Sequence, residues 1–300
     1  MFATTLGGTT EMDIRAILMG LAFALMWSSA FTSARVIVAE ASPLYSLALR
    51  FLISGFLGVG IALWLGQTWK LTRNQWKATI VFGVCQNALY LGLNFVAMQT
   101  IEGGLAAIIA STMPLIVALA TWLIFRERLP MMGVLGLAGG VIGVVIIMGA
   151  RLNAGVDLYG VTLAGIGCVA LAVATLALRG ATSGGNFMMV VGLQMFVGSF
   201  VLFVVALFVE TPRFNPTWPL AIAFAYTTLV PGVLATFVWV LLVDRIGAVR
   251  AATFHFLNPF FGVAIAAILL GEHFGPLDML GVAIITVSIL AVQLARVKKA

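Results

Sequence analysis

The sequence predicts an all-α integral membrane protein with ten transmembrane helices, arranged as two inverted five-helix repeats. Three observations predict this fold. First, 62% of the 300 residues are hydrophobic and only 9% are charged, whereas a soluble domain carries roughly 25% charged residues. Second, the apolar residues fall into ten segments that are each long enough to cross a bilayer. Third, the second half of the chain repeats the pattern of the first half at a constant offset of 145 residues.

Charges and turn residues separate the ten apolar segments. The predicted helices are 14–38, 43–66, 76–99, 103–125, 131–150, 158–179, 186–209, 218–243, 247–270 and 276–296. Each holds the ~20 residues that a helix needs to span ~30 Å of hydrocarbon at ~1.5 Å per residue. The first segment is much longer than the apolar region of a signal peptide, so we expect it to remain as the first helix.

The internal repeat is clearest where residues 106–136 align without gaps on residues 251–281. The offset predicts two domains, a first repeat at 14–150 and a second at 158–296. Because five helices are an odd number, the second repeat enters the membrane upside down. Inverted repeats are typical of secondary transporters, in which two similar halves open a central site to either side in turn. A simple gene duplication in a structural or enzymatic membrane protein is the alternative.

The distribution of lysine and arginine predicts the orientation in the membrane. If the N-terminus is cytoplasmic, twelve of the sixteen basic residues lie on the cytoplasmic side. The four on the other side are Arg35, Arg50, Arg151 and Arg213. This bias predicts that both termini are cytoplasmic, in the inner (plasma) membrane of a bacterium. The net charge of +6 is therefore explained by the orientation of the helices in the membrane and does not indicate a nucleic-acid partner.

Several short motifs resemble a known family. They are WSSAF at 27–31 followed by Arg35, Pro43 with Arg50-Phe51, AS-x-x-P at 110–114 running to Glu127, and NP at 258–259 running through LLGE to Gly281. With these motifs the sequence resembles the drug/metabolite transporter superfamily, specifically its ten-helix EamA-domain transporters. Within that group it is similar to the YddG-type bacterial exporters of aromatic and other amino acids. The resemblance implies a small-molecule exporter, and related proteins carry sugars, nucleotides or drugs on similar scaffolds.

Polar side chains near the centre of a membrane helix are candidates for a substrate site, because they are unfavourable there unless they pair or line a cavity. The third helix carries Asn87, Tyr90 and Asn94 at helical spacing on one face. Aromatic residues and a few polar groups of the first, eighth and ninth helices complete the predicted site. The candidate substrate-binding residues are Trp27, Ser28, Phe31, Asn87, Tyr90, Asn94, Trp239, His255 and Asn258.

Each of these residues has a plainer interpretation. Asn87 and Asn94 could hydrogen-bond to neighbouring helices, as amides do in membrane bundles. Trp27 and Trp239 could be packing residues, and His255 could be hydrogen-bonded between helices. If the residues do form one site, its aromatic walls and few polar groups suit a small zwitterion with a bulky apolar side chain.

Three prolines fall near the centres of helices and are predicted to act as hinges. They are Pro114, Pro231 and Pro259, and each removes a backbone hydrogen bond. The 145-residue offset pairs Pro114 with Pro259, and also Glu127 with Glu272. Static shaping of the helices is the alternative. Overlapping GxxxG patterns between residues 136 and 143 are expected to allow close helix packing within one chain.

Residue types that are absent from the helix centres also limit the function. All ten acidic residues lie at segment ends or in loops, so the sequence lacks the buried carboxylate that ion-coupled carriers usually keep. We therefore expect uncoupled transport, with proton coupling through His255 as the alternative. Cys85 and Cys168 lie in separate apolar segments and form no zinc pattern. We expect no metal, no cofactor and no enzymatic activity, since Walker A, HExxH and GxSxG motifs are missing.

The leading hypothesis is an exporter of small amino acids, chiefly aromatic and apolar ones, that works by alternating access. Its partners would be a small-molecule substrate and the lipid bilayer, and a monomer would suffice. A transporter of another metabolite or drug class is the alternative. A nucleotide substrate ranks lower, because Arg35, Arg50 and Arg179 are expected to lie toward helix ends, outside the cavity.

Overall fold

The computed structural model describes residues 14–126, 130–177 and 185–297, and in these residues the predicted all-α fold with ten membrane-length helices is confirmed. We number the helices in chain order. They are α1 (Ile14–Glu40), α2 (Pro43–Trp64), α3 (Arg73–Ala97), α4 (Gly103–Ile124), α5 (Met131–Asn153), α6 (Leu158–Ala177), α7 (Phe187–Val209), α8 (Trp218–Val243), α9 (Arg250–Leu270) and α10 (Pro276–Ala295). Their ends differ from the predicted ends by a few residues. Glu127, Arg128, Arg179 and the last two lysines lie outside the described residues.

The helices alternate in direction, so α1 begins and α10 ends at the same face of the molecule, which we call the terminal face. The opposite face is called the distal face. The most extensive packing joins helices that are equivalent in the two repeats: α5 lies against α10, and α2 lies against α7. Helix α4 also contacts its equivalent, α9. The two repeats therefore meet along an internal pseudo-two-fold axis.

Small residues allow these equivalent helices to approach closely. A Cβ atom placed on Gly143 of α5 would lie 3.0 Å from the carbonyl oxygen of Gly281 on α10. A Cβ atom on Gly58 of α2 would lie 3.1 Å from the Cα atom of Gly192 on α7. The glycines of the GxxxG patterns in α5 thus serve contacts within the chain, as the sequence predicts.

Four helices are irregular near their centres, and the irregularities match between the repeats. Helix α3 contains a π-helical segment at Gly83–Leu91, and α8 contains one at Val230–Leu234. Helix α4 is interrupted at Thr112, and α9 at a 3₁₀ turn, Phe254–Leu257. The 145-residue offset superimposes each irregularity on its partner. Such interruptions free backbone groups and are frequent at functional sites.

The three predicted hinge prolines lie at these irregularities. Pro114 and Pro259 each stand in the first turn of the helical portion that follows the interruption, where a proline removes no hydrogen bond. Pro231 lies inside the π-helical segment of α8. Movement about these positions stays a prediction.

Basic side chains differ between the two faces. At the distal face, Arg35 donates to the carbonyl oxygen of Met98, and Arg213 donates to the carbonyl oxygen of Val38 at 3.0 Å. Arg151 forms ion pairs with two carboxylates, those of Glu102 at 2.7 Å and Asp278 at 3.0 Å. At the terminal face the basic side chains are exposed: Arg15, Lys70, Arg73, Lys77 and Arg126. The distal arginines are therefore used for contacts within the protein.

The outer surface of the helices is apolar. Large side chains along it are exposed to the surroundings, for example Phe56, Val145, Phe208 and Ile268. Such a surface suits contact with lipid chains and not with water.

A central cavity as the candidate substrate site

A narrow cavity of about 80 Å³ lies between α1, α2, α3, α7 and α8. Its lining combines aromatic and aliphatic side chains with four amides and one cation. The lining residues are Trp27, Ala30, Phe31, Ala34, Arg50, Phe51, Gln86, Asn87, Tyr90, Leu91, Asn94, Phe95, Met98, Val191, Gln194, Met195, Pro231, Gly232 and Thr236. This volume is below the roughly 300–1,000 Å³ of typical small-molecule sites.

The cavity lies where the two repeats meet. Residues that are equivalent under the 145-residue offset line it together, since Asn87 pairs with Gly232 and Leu91 with Thr236. Equivalent positions nevertheless carry different chemistry. The first repeat places an amide in the lining where the second repeat places a glycine, so the polar groups of the lining are not symmetric.

Five of the predicted site residues line this cavity: Trp27, Phe31, Asn87, Tyr90 and Asn94. The residues of α3 reach it from the π-helical segment and the turn that follows. Asn87 donates from Nδ2 to the carbonyl oxygen of Gln194 on α7 at 3.0 Å. The asparagine therefore also holds two helices together, which was the plainer interpretation of its role.

Asn94 is arranged differently from Asn87. Its Nδ2 atom donates to the carbonyl oxygen of Tyr90, one turn earlier, at 2.8 Å. Its Oδ1 atom is buried and has no hydrogen-bond partner. A buried acceptor without a donor is unfavourable. The amide lies close to α6, since a Cβ atom on Gly167 would be 2.9 Å from Asn94 Nδ2.

The other four predicted residues do not line this cavity. Trp239 and His255 pack with Phe23. We call these three residues the aromatic cluster, which lies beside Trp27. The ring centroids of Trp239 and His255 are 5.3 Å apart, and those of Phe23 and Trp239 are 4.6 Å apart. Trp27 joins the cluster to the cavity, with its ring centroid 5.8 Å from that of Phe23.

Asn258 and Ser28 connect the aromatic cluster to the interruption in α9. The Nδ2 atom of Asn258 lies 2.9 Å from Nδ1 of His255. Ser28 donates to the carbonyl oxygen of Asn258 at 3.3 Å. The structure thus brings these predicted residues together, but next to the cavity and nearer the terminal face.

Arg50 lines the cavity, and the expectation that it lies toward a helix end outside the cavity is wrong. It is seven residues into α2 and only 6% exposed. The position of Arg50 near one end of α2 suggested a place outside the cavity. The packing of α2 against α7 and α8 instead turns its side chain inward. An arginine flanked by apolar residues within a membrane segment was the available signal.

Gln86 and Gln194 are two further lining residues that the sequence reasoning missed. Both are uncharged polar residues near the middle of apolar helices, so the rule that nominated the asparagines also applied to them. Both add amide groups to the same cavity.

The lining suits an apolar ligand with a few polar groups. Trp27, Phe31, Phe51 and Phe95 provide aromatic surface, and none of the lining residues is acidic. Among the described residues no group of three or more His, Cys, Asp or Glu could hold a metal ion. Ten membrane-length helices in two inverted repeats around such a cavity are the architecture typical of secondary transporters.

The chain belongs to the EamA-like transporter family, which matches residues 14–149 and 158–294. It is similar to the uncharacterized transporter YvbV of Bacillus subtilis, with 26% identity over 90% of this chain and 88% of that protein. It is also similar to protein PecM of Dickeya dadantii, with 24% identity over 79% of this chain and 80% of that protein. One solved crystal structure has the same fold, with a TM-score of 0.69 and 21% identity over 95% of this chain and 99% of that chain.

Proposed function

We propose that this transporter exports small amino acids, chiefly aromatic and apolar ones, across a bacterial inner membrane by alternating access. In this respect it would act like the YddG-type exporters that its sequence resembles. The observation that carries the proposal is the cavity between the repeats, whose aromatic walls also carry four amide side chains and the cation of Arg50. An apolar side chain suits the aromatic walls, and the guanidinium of Arg50 suits an anionic group.

Alternating access is supported by the matched irregularities of the helices. The helices α3, α8, α4 and α9 are each interrupted near their centres, at equivalent positions. Exchange of conformation between two similar halves would open the cavity to one face and close it to the other. The aromatic cluster of Phe23, Trp239 and His255 lies beside Trp27 on the side of the terminal face. We propose that this cluster closes the cavity toward that face.

Uncoupled transport is supported by the chemistry of the lining. No carboxylate lines the cavity, so none of the lining side chains resembles the usual proton or sodium site. His255 hydrogen-bonds to Asn258 and packs among aromatic rings. Proton coupling through His255 is the alternative, together with a cargo of another metabolite or drug class.

The proposed orientation places the terminal face in the cytoplasm. Exposed lysine and arginine side chains gather at that face, as the positive-inside rule requires. The distal arginines Arg35, Arg151 and Arg213 are engaged within the protein and weigh less in the rule.

The proposal is tested with purified protein in liposomes. Vesicles loaded with unlabelled phenylalanine should accumulate labelled phenylalanine or leucine by counterflow, and should not accumulate labelled glutamate, a nucleotide sugar or a cationic dye. Because no ion is coupled, a pH gradient alone should drive no accumulation. Counterflow of the dye or the nucleotide sugar without counterflow of amino acids would overturn the substrate class. Accumulation driven by the pH gradient, and lost in His255→Ala, would overturn the uncoupled mechanism.

A further inference from the structure

Arg50 is a buried cation without a counterion. Its side chain lines the cavity, the residue is 6% exposed, and its Nε atom has no hydrogen-bond partner. Arg151, by contrast, forms ion pairs with Glu102 and Asp278 at the distal face. The nearest aromatic contact of Arg50 is its own neighbour, with the guanidinium carbon 5.2 Å from the centre of the Phe51 ring.

This arrangement is unfavourable unless something else enters the cavity. Arginine stays protonated in proteins. A buried charge is strongly destabilising when it has no partner, and nothing among the residues around Arg50 supplies one. The guanidinium of Arg50 therefore has no anionic partner among the described residues of the protein.

Gly232 allows the backbone of α8 to lie close to the guanidinium. A Cβ atom at Gly232 would lie 3.1 Å from the carbonyl oxygen of Thr227, 3.4 Å from Oγ of Ser54 and 3.5 Å from Nη2 of Arg50. The Ser54 hydroxyl is also buried and has no partner. Two side chains with an unused donor, Arg50 and Ser54, thus lie next to Gly232.

The second repeat does not place a second cation at the position equivalent to Arg50. The residue equivalent to Arg50 in the second repeat is Met195, which also lines the cavity. No other lining residue carries a charge. One positive charge balances one negative charge, whereas a phosphate dianion would leave a charge unpaired among apolar walls. A planar guanidinium also matches a carboxylate in geometry.

We infer that Arg50 binds the carboxylate of the transported molecule and restricts the cargo to monocarboxylates. This inference rests on the proposed function, because it assumes that the cavity is the transport site. Arg50 is in this sense the residue that determines specificity, while the aromatic walls accept several apolar side chains.

The first test uses the unmodified protein and ligands with three apolar side chains: methyl, isobutyl and benzyl. For each side chain, the binding of the amino acid, its amide and the matching amine is measured by the change in tryptophan fluorescence. Phenyl phosphate is a further probe. A charge-assisted hydrogen bond distinguishes acid from amide by about tenfold or more, so at least one acid should bind at least about tenfold more tightly than its amide. Equal binding of acid and amide for every side chain, or no binding of any acid, overturns the inference. Tighter binding of phenyl phosphate than of phenylalanine overturns the carboxylate class.

The second test changes the arginine. Arg50→Gln should remove the preference for acid over amide, and Arg50→Lys should retain part of it, because lysine keeps the charge but not the planar geometry. Arg73→Gln, at an exposed arginine of the terminal face, is the matched control and should leave the preference unchanged. A purely structural role for Arg50 would lower the thermal unfolding midpoint of Arg50→Gln while the preference for acids stays intact, and that result overturns the inference.

Failure of the inference and failure of the proposed function give different results. If the chain exports amino acids but Arg50 does not bind the carboxylate, phenylalanine shows counterflow and phenylalanine amide competes equally well. If Arg50 binds carboxylates but the chain does not export amino acids, acids bind in the fluorescence test and phenylalanine shows no counterflow.

Discussion

At the scale of single residues, two tryptophans that are equally prominent in the sequence have different places in the structure. Trp27 lines the cavity, whereas Trp239 packs in the aromatic cluster beside it. Trp27 touches both regions, since its ring centroid also lies 6.4 Å from that of His255. The two side chains should therefore affect different steps of transport.

We expect Trp27→Ala to raise the substrate concentration for half-maximal transport roughly two- to tenfold, because an aromatic contact with the cargo is lost. Trp239→Ala should leave that concentration nearly unchanged and alter the maximal rate, because it loosens the aromatic cluster. Initial rates of counterflow at varied substrate concentrations measure both quantities.

Trp64→Ala is the control for this pair. Trp64 is 84% exposed at the end of α2, so its loss should change neither quantity. A larger effect of Trp239→Ala than of Trp27→Ala on half-maximal concentration would contradict the assignment of the two residues.

At the scale of helices, close packing between equivalent helices holds the repeats together. On α5, Gly143 faces α10 so closely that an added Cβ atom would lie 2.8 Å from Cγ1 of Ile285 and 3.0 Å from the Gly281 carbonyl oxygen. Gly149, on the same helix, has no atom within 4 Å of the same added Cβ. One glycine is required by the packing and the other is not.

Gly143→Leu should therefore destabilise the protein by about 1–3 kcal/mol, the usual effect of overpacking a tight contact. Gly149→Leu should have little effect. The thermal unfolding midpoints of the two variants in detergent measure the difference, and equal midpoints would show that α5 and α10 do not meet at Gly143.

The existence and approximate bounds of the helices were predictable, because apolar length in a bilayer is a local property of the sequence. The prolines predicted irregularities in α4, α8 and α9. Nothing comparable marks the π-helical segment of α3, which contains no proline. There α3 lies close to α7, where a Cβ atom on Gly83 would be 2.7 Å from the Gln194 carbonyl oxygen. That contact depends on tertiary packing, which a single helix sequence does not contain.

At the scale of the whole molecule, one carboxylate links the two repeats at the distal face. Glu272, just after α9, accepts hydrogen bonds from the backbone N–H groups of Gly103 and Gly104 at 2.7 and 2.9 Å. These N–H groups begin α4 and have no partner within the helix, so the carboxylate of Glu272 caps them. The cap stabilises the contact between the start of α4 and the end of α9. Opening the distal face by separating these helices would break both bonds.

The repeat predicts an equivalent cap at the terminal face. Glu127 pairs with Glu272, and residues 248–249 pair with Gly103 and Gly104. Glu127 lies outside the described residues, so this cap is a prediction from the repeat. We expect the two glutamates to favour closure of opposite faces.

This prediction is checked with a cysteine at Ala34, which lines the cavity, after Cys85 and Cys168 are replaced by serine. Glu272→Ala should increase labelling by a membrane-impermeant maleimide added from the distal side, and Glu127→Ala should decrease it. Glu40→Gln, at a half-buried carboxylate of the distal face that accepts from Asn215 and not from α4, is the control. Changes in the same direction from both glutamates would contradict opposite closure.

The residues alone predict ten membrane-crossing helices, two inverted halves and one shared helix face for Asn87, Tyr90 and Asn94. These properties follow from hydrophobic length, a fixed offset and helical spacing, which are all readable along the chain. The folded structure was needed to place Arg50 in the cavity and Trp239, His255, Ser28 and Asn258 beside it. A side chain's surroundings depend on the rotation and tilt of its helix, and packing against distant helices sets both.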